Sequence, residues 1–151
     1  MQKISIRTAL VSEQKALEAL QWRASLCNPG DREMLIANPQ AIELPIHQIE
    51  AGNVFVAEVD CSLKGFAALL PTEDGDWELT GLFVEPAAWR QGIGRALVEH
   101  CCFIAKSAGV ASLHVVGNPH AEGFYANCDF KMLGTKQMQS GIGLLMKRSL
   151  L

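Results

Sequence analysis

The run Trp89-Arg90-Gln91-Gly92-Ile93-Gly94-Arg95-Ala96-Leu97 follows the apolar stretch Leu79 to Val84. A glycine-spaced turn between a strand and an amphipathic helix gathers backbone N–H groups at a helix N-terminus, where aligned peptide dipoles leave roughly half a positive charge. That is a seat for an anion. Gly92 and Gly94 let the backbone approach a ligand where a Cβ would intrude, and Arg90 and Arg95 add cations able to pair with phosphate oxygens. The indicated guest is a phosphate or pyrophosphate. A dinucleotide fingerprint needs a third glycine where Leu97 stands, and a P-loop needs Gly-Lys-Ser/Thr at its end, which this run lacks. Neither a nicotinamide cofactor nor a nucleoside triphosphate is favoured.

A second stretch follows. Leu113 to Asn118 reads as a strand ending in Asn, and Pro119 to Phe130 carries Tyr125 and Cys128. Asn118 suits a helix N-cap and Pro119 the first helical position, where its missing N–H is not needed. Together the two stretches resemble the GNAT superfamily of acyl-CoA-dependent N-acyltransferases. Its signatures are Gln/Arg-x-x-Gly-x-Gly/Ala after an apolar strand, then an Asn opening a short helix with a Tyr seven residues later, the spacing of Asn118 and Tyr125. The leading Gln/Arg falls at Trp89 here, with the arginine displaced to Arg90. Because the family binds the pyrophosphate mostly through main-chain N–H groups, the shift is expected to alter a loop detail and not to abolish binding.

The resemblance implies acetyl-CoA as cosubstrate and no metal. Backbone groups of Leu82, Phe83 and Val84 would pair with the pantetheine arm like an added strand, and those of Arg90, Gln91, Gly92, Ile93, Gly94 and Arg95 with the pyrophosphate. Asn118 would lie beside the cofactor. Tyr125 would face its sulfur and protonate the departing thiolate, while a backbone N–H near Val84 meets the developing oxyanion.

Acylation of an amine also needs a proton acceptor, since a lysine-like amine with pKa ~10.4 carries a deficit of roughly 4–5 kcal/mol against its nucleophilic form at pH 7. Glu78 is the first choice. Strand alternation is expected to place it on one face with Thr80, Leu82 and Val84, and some family members carry a catalytic Glu at this offset from the glycine loop. An ordinary carboxylate pKa near 4.3 would call for partial burial or a relaying water. His114 and water are the rival bases, and His120 is read as a surface or cofactor-side residue. Trp22 and His47 fall in the helical segment that often forms the acceptor wall in the family. Direct attack in a ternary complex is expected, with an acylated Cys128 as the counter-hypothesis.

These residues need elements to position them. A strand near 3–7 precedes a helix from about Ser12 to Trp22, a short helix capped by Asp31 through Ala37, and another from Pro45 to Ala51. Val54 to Val59 and Gly65 to Leu70 form a hairpin around Asp60-Cys61-Ser62, and a strand begins near Trp77. Ile93, Ala96, Leu97, His100, Cys101, Ile104 and Ala105 recur at helical spacing before Gly109, which suits a left-handed cap. A strand at 111–116, a helix at 119–127 and strands at 129–135 and 142–148, separated by Ser140-Gly141, complete the order. This is an α+β chain. The resemblance implies a central mixed, mostly antiparallel twisted sheet of six to seven strands, helices on both faces and a splayed central parallel pair near 78–84 and 112–117.

The 151 residues suit one domain, and five cysteines without a C-x-x-C pair indicate reduced thiols rather than a disulfide framework or zinc site. A net charge of −3 with no basic run excludes a general nucleic-acid binder. No apolar run approaches a membrane span and the first residues lack a signal peptide's apolar stretch, so a cytoplasmic location without membrane contact is expected. The acceptor is a small-molecule amine or a peptide or protein amine, its pocket shaped by residues 22–51 and 135–142. An exposed final strand would offer an edge for a homodimer. A non-catalytic acyl-CoA-binding regulator and a small interaction domain stand as alternative functions.

Overall fold

The computed structural model describes residues 3–138 and 141–151. β1 (Ile4–Thr8) leads through a 3-10 turn into α1 (Gln14–Leu26), α2 (Pro29–Ala37) and α3 (Ile46–Glu50). An antiparallel meander of β2 (Val54–Val59), β3 (Ser62–Pro71) and β4 (Trp77–Val84) follows. Then come α4 (Ile93–Ser107), β5 (Ser112–Gly117), α5 (Glu122–Asn127), β6 (Lys131–Met138) and β7 (Gly141–Ser149). The seven strands are ordered β1-β2-β3-β4-β5-β7-β6, and β4 with β5 is the parallel pair. The mixed α+β architecture is the expected one.

Local chemistry accounts for the boundaries. Asp60 and Cys61 both take positive φ (53° and 65°), as a two-residue hairpin between right-twisted strands requires. Gly109 is left-handed at φ 85°, and the Val110 N–H reaches back to the Ala105 carbonyl to close α4. The core lies on both faces of the sheet. Ile93, Leu97, Val98, Cys101 and Ala105 of α4 pack on Phe55, Leu69, Leu79, Leu113 and Val115, whereas Leu17 and Leu20 of α1 and Ile49 of α3 cover Val54, Val56, Phe66 and Ala68. Among the described residues, no helix is long and apolar enough to cross a membrane.

Four expectations change. The first helix continues four residues past Trp22 to Leu26. The second begins at Pro29 behind Asn28, so Asp31 sits inside its first turn rather than at its cap. The turn assigned to Ser140-Gly141 lies partly outside the described residues, and Gly141 already belongs to β7. The final strand is not an edge: β7 lies between β5 and β6, and the free edges are β1 and β6. Returning the last strand to the centre lets it pair with both neighbours, which removes the edge proposed for a homodimer.

Candidate active site

Two irregularities in β4 set up the site. Ala68 pairs with Gly81 but Leu69 pairs with Leu79, so Thr80 is the extra residue of a β-bulge. Its hydroxyl donates to the Ala68 carbonyl at 3.3 Å. Trp77 and Leu79 before the bulge, and Leu82 and Val84 beyond it, all pack with the cluster under α4. The added residue cancels one step of alternation. Glu78 is therefore on the opposite face from Leu82 and Val84, correcting the expected shared face.

The second irregularity is the splay. β4 pairs with β5 only through Trp77↔Leu113, Glu78↔His114 and Leu79↔Val115. Beyond Leu79 the two strands part, while β3 continues to pair with β4 through Val84. The Glu85 N–H donates to Lys64 of β3 at 2.8 Å, so by alternation Phe83 spends its main chain on β3, and Leu82 and Val84 turn theirs toward the gap. These groups form a short unpaired edge, the requirement for an extended ligand to add as a strand. The Val84 carbonyl is already engaged by the indole Nε1 of Trp89 at 2.8 Å.

A cavity of about 630 Å³ runs from this edge to the glycine loop and the start of α4. Leu82, Phe83, Val84, Trp89, Arg90, Gly92, Ile93, Gly94 and Arg95 reach it, together with Phe124, Tyr125 and Cys128; Gln91 does not. Arg90 and Gly92 are both left-handed, with φ of 66° and 83°. The N-cap of α4 is Gly92, and among the described residues no side-chain cap bond is made there. The N–H groups of its first turn, which have no intrahelical acceptor, thus stay free for an anion. Neither Arg90 nor Arg95 has an ion-pair partner among the described residues. Gly94 has a different duty from Gly92: a Cβ there would come within 3.2 Å of the Phe124 ring, so its bareness lets the helix accept that aromatic.

Tyr125 closes the far wall. Its ring packs edge-on against Phe124 (5.2 Å between centroids) and Phe130 (5.5 Å). It also lies against Gly117, whose Cβ would approach the ring to 3.1 Å. Burial pushes the phenol well above its ordinary pKa, with a smaller contribution from Cys128, so it is held as a proton donor. Asn118 caps the following turn by accepting from the His120 N–H at 2.9 Å. Burial likewise raises the Cys128 thiol, which disfavours a thiolate.

Glu78 and His114 sit side by side in the paired stretch, and neither reaches the cavities of the splay. His114 Nε2 is 2.8 Å from the Asp76 carboxylate, a partnership invisible in the spacing of those residues. Trp22 is half-buried on α1 and His47 exposed on α3; they too stand away from these cavities. Within the 22–51 segment expected to shape the acceptor pocket, sequence reasoning did not single out Asp31 as a wall residue. It lines two smaller cavities with Asn118 and His120, and its only sequence signal was its place ahead of a short helix. Among the described residues no cluster of His, Cys, Asp or Glu is arranged to hold a metal. Arg23 makes a bidentate ion pair with Glu85 at 2.8 and 2.7 Å, tying α1 to the loop after β4.

A model of the acetyltransferase (GNAT) family matches residues 16–130. Among solved structures, the chain is similar to the PaiA N-acetyltransferase from Thermoplasma acidophilum in complex with coenzyme A, at 18% identity and TM-score 0.77 over 97% of this chain and 99% of that one. The ribosomal-protein-S18-alanine N-acetyltransferase from Escherichia coli aligns at 20% identity and TM-score 0.71, covering 98% of this chain and 94% of that one. The N-acetylglutamate synthase from Neisseria gonorrhoeae, complexed with coenzyme A and N-acetyl-glutamate, aligns at 22% identity and TM-score 0.74 over 99% of this chain but 35% of its own. At such identities the likeness to these structures is one of fold. A search of curated protein sequences found no match.

Proposed function

Since the chain belongs to the acetyltransferase (GNAT) family, we propose that it moves an acetyl group from acetyl-CoA to a primary amine by direct attack in a ternary complex. The observation that carries this is the splay beyond Leu79 and Val115, with an unpaired β4 edge on one side and buried Tyr125 on the other. It offers a strand-like ligand a seat that ends at the open N-terminus of α4.

The residues divide the work. Main-chain groups of Leu82 and Val84 hold the pantetheine arm, and the first turn of α4 with Arg90 and Arg95 holds the pyrophosphate. The Val84 N–H faces the thioester oxygen as charge develops there. Tyr125, kept protonated by burial, supplies the proton that leaves with the thiolate. Glu78 takes the amine proton through a water on the face it shares with His114, because it does not itself line the splay. Cys128 stays a thiol at the cavity wall, consistent with a route that forms no acyl-enzyme.

Calorimetry with acetyl-CoA, paired with release of free CoA thiol across a panel of amines, tests the proposal. Amine-dependent thiol release with matching N-acetyl product is expected. Binding without release would identify a non-catalytic acyl-CoA-binding module, and an acetylated Cys128 with ping-pong kinetics would overturn direct attack.

A further inference from the structure

We infer that Asp31 selects the acceptor, favouring a primary ammonium on an apolar stem that carries no carboxylate beside it. The inference rests on the acetyltransferase reading and narrows its substrate. Two cavities meet at the end of β5 without touching the glycine loop. One of about 270 Å³ lies in the splay between Thr80 to Phe83 and Val115 to Gly117, and one of about 280 Å³ continues toward Met138 and Ile142 of the β6–β7 hairpin. They share Asp31, Val116, Gly117, Asn118 and His120.

The permanent charge on these walls is one-sided. Asp31 is the carboxylate in both, His120 is the imidazole in both, and among the described residues neither wall contains a lysine or arginine. The cofactor-side cavity has the opposite character, with Arg90 and Arg95 and, among the described residues, no carboxylate. An acidic group on the acceptor would meet Asp31 with no guanidinium or ammonium to balance it, whereas an ammonium is drawn in. Val116, Met138 and Ile142 give an alkyl or aryl stem an apolar surface to follow. Asp31 is half-buried, and the Asn28 amide donates to its Oδ2 at 3.3 Å, which steadies the carboxylate beside the cavity. The same residue lies in the first turn of α2, where a negative charge also favours the helix. A test must therefore separate recognition from folding. Because pairing with Asp31 keeps an amine protonated, its action belongs to capture, not to the attacking step.

The probes are phenethylamine, pentylamine, phenylalanine and phenylalaninamide, the last keeping the amine and the bulk of the carboxyl group but not its negative charge. The wild-type chain should acetylate the two amines and the amide with kcat/KM at least about tenfold above phenylalanine. Asp31→Asn should collapse that ratio through KM, leaving kcat and acetyl-CoA affinity unchanged, and Asp31→Glu should restore it. The inference is overturned if phenylalanine matches its amide, if turnover is confined to amino acids or proteins, or if Asp31→Asn shifts kcat or cofactor binding instead of the ratio. Bound acetyl-CoA with no thiol release from any amine is a different failure. It removes the acetyltransferase reading, and this inference falls with it.

Discussion

The indole Nε1 of Trp89 donates to the carbonyl oxygen of Val84 at 2.8 Å. The side chain at the entrance of the anion loop thereby pins the loop to the last residue of β4. A carbonyl has two lone pairs, so the contact narrows what Val84 offers the pantetheine without abolishing it. Trp89→Phe should lower stability by about 0.5–1.5 kcal/mol and weaken acetyl-CoA several-fold, read by urea unfolding and calorimetry. Trp89→Gln, which restores a side-chain donor, should recover part of the affinity. Unchanged affinity in both variants would make the contact incidental to binding.

Tyr125→Phe should reduce kcat by roughly 100-fold with little change in the KM for acetyl-CoA. Gly117→Ala should mimic part of this loss, because its new Cβ would press on the Tyr125 ring from 3.1 Å. The phenol's folded pKa is raised, so its contribution to stability is complete below its unfolded pKa of about 10 and is lost as pH climbs toward the folded value. Stability measured between pH 9 and 11 should therefore fall less steeply in Tyr125→Phe than in the wild type.

Arg90 holds a left-handed backbone conformation at φ 66° that costs a non-glycine residue about 1 kcal/mol. Arg90→Gly should leave the thermal midpoint equal or higher while weakening acetyl-CoA binding, and the loss should shrink as salt screens the missing cation. A lowered midpoint would show that the side chain supports the fold.

Glu78→Gln and His114→Gln distinguish the routes for the amine proton. If Glu78 works through water, its variant should lose rate chiefly at low pH, where the amine is most protonated, and His114→Gln should do so less. The reverse order in the two pH–rate profiles would assign the base to His114, and no change in either would assign it to solvent.

Acid should destabilise the chain in a defined window. Arg7 holds the Glu13 carboxyl below the usual range, Arg23 does so for Glu85 and Arg148 for Glu99, in each case chiefly through a side-chain hydrogen bond. A depressed folded pKa contributes stability that is present above the unfolded value, about 4.3, and lost as pH falls through the folded one. Unfolding free energy should be level near pH 6 and decline below about pH 4.5, and Glu85→Gln should flatten part of that decline.

What the sequence made legible was local backbone chemistry. The glycine loop, the Asn118 cap and the left-handed Gly109 depend on residues within one turn of each other, and their types announce the conformation. The face of Glu78 was not legible, since the Thr80 bulge is defined by β3, which pairs residue 69 with 79 and 68 with 81. Nor was the insertion of β7 between β5 and β6, a choice made among distant strands. For the same reason Asp31 was not singled out: as the third residue of α2 it reads as helix chemistry, and only the fold brings it to the wall of a cavity shared with the end of β5.

Thr80 sets the phase of β4. A strand has period two, so one residue more or less exchanges its faces. The bulge absorbs Thr80 as an odd residue, so deleting it would restore an unbroken alternation and leave Leu82 and Val84 under α4. The anion loop, built directly on that end, would keep its face. The odd residue thus shapes the bend of β4 and not the faces of its binding edge, and a one-residue deletion here should change the splay more than it changes which side chains meet α4.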